Sequence, residues 1–193
     1  MSDDSADGTE TEAVVLDVLR HGRSGDDRAA FRREQVGLAV GTEDFALYEF
    51  LMADDSDVSI GDRVRLAPDP EADISRVNAV DYDDLSPGAQ SELEYVVEEL
   101  IEADPEPFLD FYNEAGAVSL RLHQLNLLPG IGDTLRDKIL DERKRGPFES
   151  FEDLAERVDG LHDPKEIVVE RVLQELEGED VKYHAFTPSG RGE

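Results

Sequence analysis

A Gly-Ile-Gly turn stands beside a run of basic residues in the stretch "LLPGIGDTLRDKILDERKRGPFESFEDL", residues 127–154. The turn is Gly130-Ile131-Gly132. Glycines there permit positive φ and let another molecule approach the backbone closely, while Ile131 is expected to anchor the turn in the core. N–H groups of such a turn and of the helical turn after it form a ready site for a phosphate oxygen. The pattern therefore predicts contacts with a nucleic-acid backbone.

Basic side chains surround this turn. Residues 121–145 include six basic and four acidic residues, a net charge of +2 in a chain of −29. Asp133 and Thr134 follow the second glycine, where strong phosphate binders more often have basic residues. Asp133 is expected to cap the next helix and so compete with a phosphate for its amides. A hairpin whose glycines serve packing alone is the alternative. The candidate contacts are Gly130, Ile131, Gly132, Thr134, Arg136, Lys138, Arg143, Lys144 and Arg145.

A second basic window, residues 20–33, contains five arginines against two aspartates. It falls in a long connection between the first two predicted strands, and in OB-folds that loop lines the oligonucleotide site. Arginine binds phosphates bidentately and stacks on bases, and an aromatic ring adds a stacking surface. Pairing of these arginines with nearby carboxylates is the alternative. The candidate contacts are Arg20, Arg23, Arg28, Phe31, Arg32 and Arg33.

Residue types and spacing do not predict catalysis. The four histidines (His21, His123, His162 and His184) lack metal-ligand spacing, and cysteine is absent. With 48 acidic residues, paired carboxylates arise by chance. No P-loop, nucleophile elbow or dinucleotide fingerprint is present. We therefore predict no catalytic residue, no metal and no cofactor, and expect His123 to pack or form a hydrogen bond within a helix.

The acidic excess is spread along the chain. Only four of the 19 basic residues are lysines. Lysine depletion with dispersed carboxylates is the composition expected in very high salt, where the Debye length is about 3 Å at 1 M. The sequence has no apolar run long enough for a membrane span and no signal-peptide pattern at its acidic start. We predict a soluble, cytoplasmic protein of a halophilic host.

The elements that must position these residues change in type along the chain. Five short runs typical of strands come first, at 13–19, 35–41, 45–51, 62–67 and 74–82. Helical patterns follow, each opened by a capping residue or a first-turn proline: Ser86-Pro87, Asp104-Pro105, Ser119, Asp133, Ser150 and Asp163-Pro164. The predicted fold class is α+β, with a small five-stranded OB-like or SH3-like β-barrel followed by an all-α domain.

The predicted organisation has four parts. Residues 1–12 form a disordered acidic tail, 13–83 the barrel, 84–178 the helical domain, and 179–193 an extended segment and tail. Within the helical domain, a first hairpin is predicted at 129–132 and a degenerate second hairpin at 158–163.

The helical domain resembles the tandem helix-hairpin-helix motif of sequence-independent DNA and RNA binders. The matching residues are Leu128–Gly132, Ile139, Arg143, "GPF" (146–148), "SFEDL" (150–154) and "VDGL" (158–161). From about residue 12 to 186, the chain resembles an archaeal family, domain of unknown function 655, whose members are described as predicted RNA-binding proteins. The resemblance implies a non-catalytic RNA-binding protein, with structured ribosomal RNA as one candidate. A docking adaptor for translation or transcription proteins and a DNA binder remain alternatives.

Overall fold

The computed structural model of the protein describes residues 10–22, 34–178 and 181–188. The chain divides into two compact units, Met1–Val96 and Val97–Glu193. The division falls within the first helix, α1 (Pro87–Ala103), beyond the last strand.

The first unit contains a five-stranded antiparallel sheet. Its strands are β1 (Thr11–Leu19), β2 (Gln35–Gly41), β3 (Leu47–Met52), β4 (Arg63–Ala67) and β5 (Ile74–Ala79). The order is β4-β1-β2-β3-β5, with every neighbouring pair antiparallel. All five predicted strands are present, with ends shifted by a few residues. The sheet is curled into a half-barrel with β4 and β5 at its edges.

Alternating apolar residues build the core of this sheet. One face collects Ala13, Val15, Ala39, Phe50, Met52, Val64, Leu66 and Ile74. Phe50 is paired with Gly37 across β2 and β3, and its ring covers that glycine. A Cβ on Gly37 would lie 2.2 Å from the ring, so only glycine fits beneath Phe50.

Helix α1 begins as its sequence predicts. Ser86 Oγ accepts a hydrogen bond from the N–H of Ala89 at 3.1 Å, the expected cap. The same hydroxyl donates to Asp17 Oδ2 at 2.5 Å and so ties the start of α1 to β1. The cap therefore fixes both the beginning of the helix and its attachment to the sheet.

The second unit is helical. Its elements are the end of α1, α2 (Glu106–Glu114), a 3-10 turn (Gln124–Leu127), α3 (Asp133–Arg143), α4 (Phe151–Arg157) and α5 (Pro164–Glu177). The described residues thus contain five α-helices, and the α+β class is confirmed. Their apolar faces bury a common core that includes Tyr112, Leu125, Leu128, Ile131, Ile139, Leu154, Leu161, Val168 and Val172.

The end of α2 is hydrogen-bonded to the segment before α4 and to the first residue of α5. The side chain of Asn113 pairs with the backbone of Phe148, accepting its N–H at 2.7 Å and donating to its carbonyl at 3.1 Å. Tyr112 donates its hydroxyl to the carbonyl of Pro164 at 3.0 Å. Burial raises the pKa of this phenol, which keeps it the neutral donor that the bond requires.

Candidate nucleic-acid interface

The turn at residues 128–132 is anchored in the core by two buried side chains, and its glycines are exposed. Gly130 has a φ of 77°, which favours glycine, and no atom lies within 4 Å of the Cβ position of Gly130 or Gly132. Leu128 and Ile131 are buried, and the N–H of Ile131 donates to the carbonyl of Leu128 at 3.2 Å. The prediction that Ile131 anchors the turn is confirmed. The side chain of Ile131 packs in the core, and Gly130 and Gly132 form the exposed surface of the turn.

The prediction of a helix that begins at Ser119 and ends before Pro129 is wrong. Residues 119–122 are not helical, and only the 3-10 turn Gln124–Leu127 precedes Pro129. His123 has extended backbone, and its Nδ1 accepts the N–H of Leu125 at 3.1 Å, so it caps that turn. Partial burial, with help from the charges of Arg143 and Arg136, lowers the pKa of His123 and favours the neutral ring that this cap needs. His123 is therefore a capping residue.

The start of α3 also differs from the prediction. Gly132 is the N-cap, with no side chain bonded to the first-turn amides, and Asp133 is the first helical residue. The carboxylate of Asp133 instead accepts from Arg136 Nη1 at 2.7 Å. Asp133 therefore does not compete with a ligand for these amides. Its charge still complements the helix dipole and is partly neutralised by Arg136.

Most basic side chains of this window are bound within the protein. Arg136 also contacts Asp137, Lys144 pairs with Asp141, and Arg145 pairs with Glu142, at distances of 2.8–3.2 Å. Lys138 donates to the carbonyl of Asp159 at 2.8 Å, and Arg143 to that of Tyr112 at 3.2 Å. The exposed pairs each contribute at most about 1 kcal/mol. They also cancel much of the positive charge that the sequence shows.

A second turn repeats the geometry of the first. Gly160 has a φ of 88°, close to that of Gly130, and the N–H of Leu161 donates to the carbonyl of Val158 at 3.1 Å. Val158 and Leu161 are buried, as are Leu128 and Ile131 in the first turn. Each turn leads into a helix within a few residues. Lys138, through its bond to Asp159, links α3 to this second turn.

Two arginine clusters were not predicted from the sequence. Arg157 donates to the carbonyls of Glu142, Gly146 and Pro147 at 2.7–3.1 Å and lies 4.5 Å from the ring centroid of Phe148. It therefore joins α4 to the end of α3. In the sequence, only the spacing of four residues between Arg157 and Asp153 indicated an interaction of this arginine, and the two side chains do pair.

The second cluster docks the segment after α5. Arg171 Nε donates to Glu175 at 2.8 Å, and both are buried. The same carboxylate accepts the N–H groups of Ala185, Phe186 and Thr187 at 2.6–3.0 Å. The ring of Phe186 lies 5.5 Å from that of Phe108 and 4.9 Å from that of Phe111. Residues 183–187 are thus bound tightly to the helical unit.

The candidate contacts of the first unit fall largely outside the described residues. Arg20 is exposed at the turn that follows β1. Arg23, Arg28, Phe31, Arg32 and Arg33 lie outside the described ranges. In residues 10–22, 34–178 and 181–188, no three histidine or carboxylate side chains converge as metal ligands, and no helix is long and apolar enough to cross a membrane.

Comparison with known proteins gives the family. A model described as "Protein of unknown function (DUF655)" matches residues 9–188. The chain belongs to the DUF655 family. It is 33% identical over 185 residues to uncharacterized protein MJ0038 of Methanocaldococcus jannaschii, covering 95% of this chain and 82% of that protein. The crystal structure of Af1531 from Archaeoglobus fulgidus superposes with a TM-score of 0.83 at 37% identity, covering 93% of this chain and all of that one. This DUF655 chain therefore shares its α+β fold with archaeal relatives.

Proposed function

We propose that this DUF655 protein is a non-catalytic RNA-binding protein that contacts the phosphate backbone through the turn at residues 128–132 and the start of α3. The observation that carries the proposal is the open side of this turn. Gly130 and Gly132 have no neighbour within 4 Å of their Cβ positions, and no side chain caps the amides of α3. A phosphate oxygen fits such a helix N-terminus.

The repeated turn supports a tandem helix-hairpin-helix arrangement. Gly130 and Gly160 take similar positive φ values between two buried apolar residues, at the entries to α3 and α5. In this proposal the first helix of the motif is reduced to the 3-10 turn Gln124–Leu127. We further propose that the curled sheet is an OB-like or SH3-like module whose Arg20–Arg33 connection contributes contacts.

High salt suits contacts of this kind. Phosphate attraction to point charges falls steeply with salt, whereas amide hydrogen bonds and arginine stacking depend on it less. We place the protein in the cytoplasm of a halophilic host, with structured ribosomal RNA as a candidate ligand and sequence-independent DNA binding as the alternative.

A groove in the helical unit favours a second candidate, an adaptor that docks a translation or transcription protein. It has a volume of about 450 Å³. Its lining includes the apolar side chains of Leu109, Phe151 and Pro164 and the carboxylates of Glu149, Glu152 and Asp163. These carboxylates also stand at helix N-termini, where they are favourable without a ligand. RNA binding therefore remains the better supported function.

Substituting the turn glycines tests the proposal. Gly132→Ala adds a methyl group into open space at an ordinary φ of −85°, so the fold should be retained. The methyl group blocks close approach of a phosphate to the amides. RNA crosslinked per protein in cells at native salt should fall roughly tenfold, since a hydrogen bond to a charged group contributes about 1.5 kcal/mol or more.

Gly130→Ala has a matched control in Gly178→Ala. Both residues have φ values above 70° and no neighbour within 4 Å of the Cβ position, so the backbone strain is similar. Gly178 lies at the end of α5, away in sequence from the turn. Gly130→Ala should lower RNA recovery and Gly178→Ala should not. Equal recovery from wild type, Gly130→Ala and Gly132→Ala would show that this turn does not bind RNA.

A further inference from the structure

A short loop before the turn is closed by hydrogen bonds at its base. The N–H of Gly116 donates to Gln124 Oε1 at 2.7 Å, and the N–H of Gln124 donates to the carbonyl of Gly116 at 2.8 Å. Ala117 and His123 form an antiparallel bridge. The N–H groups of Val118 and Ser119 both donate to the carbonyl of Leu122, at 2.8 and 3.0 Å. We call residues 116–124 the closed loop.

The tip of the closed loop presents one apolar and one cationic side chain. Leu120 is fully exposed, at 107% of its reference area, although the loop around it is fixed. Arg121 is exposed as well, and its N–H donates to Ser119 Oγ at 3.3 Å. Within residues 121–145, all of which are described, Arg121 is the one basic residue whose side chain has no hydrogen bond or ion pair to the described protein. Within this window, the one cation without a bond to the described residues is thus next to the exposed Leu120.

The closed loop is connected to the candidate turn. His123 ends the loop and caps the 3-10 turn through Leu125. Asn126, in that 3-10 turn, donates to the carbonyl of Ile131 at 3.2 Å and accepts from Arg136 Nη1 at 3.3 Å. Hydrogen bonds therefore link the closed loop, the turn and α3 in an unbroken series.

We propose that the tip of the closed loop binds nucleic acid, with Leu120 inserted at a base step or bulge and Arg121 placed on the adjacent phosphate or base. Apolar wedges such as leucine partly unstack a base step in DNA complexes, and arginine stacks on bases and binds phosphates bidentately. This inference rests on the proposed RNA-binding function and identifies the part of the surface that engages the bases.

The size of the tip favours nucleic acid over a protein partner. A stable protein interface buries about 800 Å² on each side, usually around several anchor residues. One leucine side chain cannot supply that area, whereas a single side chain suffices as a wedge between bases. A positively charged neighbour also complements a phosphate backbone directly.

Ultraviolet crosslinking of the full chain to RNA in cells at native salt, with adducts mapped to residues by mass spectrometry, tests this inference. Adducts are expected within residues 119–121. Leu120→Ser and Arg121→Gln should each lower RNA recovery by about fivefold or more, because the first removes a buried apolar contact and the second a hydrogen bond from a charged group. The exposed side chains Ile60 and Arg76, changed to Ser and Gln, serve as matched controls and should retain recovery.

The outcomes separate this inference from the function on which it rests. Adducts at the tip, with lower recovery from both variants, support it. RNA recovered by the wild type with adducts elsewhere, and unchanged recovery from both variants, overturns the role of the tip and leaves RNA binding intact. No RNA above background from the wild type overturns both, and protein crosslinks at Leu120 would then identify the tip as a docking contact.

Discussion

At the scale of single residues, the contacts of charged side chains were harder to predict from the sequence than the conformation of the glycine turn. The cations of α3 are mostly bound by neighbouring carboxylates or carbonyls, as with Arg136, Lys138 and Arg143. Their positions in the sequence revealed a basic window but not their partners. Asp159, for instance, is 21 residues from Lys138. The Gly-Ile-Gly turn could be predicted because its glycines and buried isoleucine act through local conformation.

Gly37 gives a prediction about shape. Gly37→Ala places a methyl group 2.2 Å from the ring of Phe50, which must move within a packed core. Overpacking of this kind costs about 1–3 kcal/mol. The free energy of unfolding, measured by denaturant titration in concentrated KCl, should fall by that amount. Gly132→Ala, which meets open space and loses only part of the preference for glycine at the start of α3, is the control and should lose less stability. Equal stability of both variants would contradict the packing of Phe50 over Gly37.

At the level of elements, the capping residues and prolines in the sequence predicted where most helices begin. They failed at Ser119, where side-chain hydrogen bonds form the closed loop instead of a helix. Ser86 and Ser150 cap α1 and α4 as expected. The run "LRLHQLNLL" has helical apolar spacing, yet most of it lies in the closed loop and the 3-10 turn. Gln124 bonds back to Gly116, and His123 caps the turn. These bonds give the backbone an alternative to the helix that periodicity cannot reveal.

The segment that follows α5 gives a prediction at this scale. Glu175→Gln removes a buried charge that binds Arg171 and three backbone N–H groups, and its amide NH₂ cannot accept from them. Loss of one partner of a buried pair costs about 3–5 kcal/mol. Hydrogen exchange should show lost protection at residues 185–187 and lower stability of the helical unit. Glu177→Gln, at an exposed position two residues further on, is the control. Retained protection in Glu175→Gln would mean that the carboxylate does not hold this segment.

The whole molecule combines an acidic chain of −29 with two local basic windows. The α+β class and the five strands could be predicted because strand alternation and helix starts are local. The two compact units divide inside α1, whose apolar pattern is continuous. The family relation to Af1531 extends across both units, because the superposition covers 93% of the chain. Each unit of this chain therefore has a counterpart in Af1531.

The most direct measurement is recovery of RNA by the intact wild-type protein. The protein is crosslinked in cells at native salt, purified under denaturing conditions, and its attached RNA is sequenced. An unrelated protein of similar size and net charge is treated in parallel. We expect the DUF655 protein to yield enriched RNA sequences above that acidic control. Recovery no greater than the control would contradict RNA binding as the function of this protein.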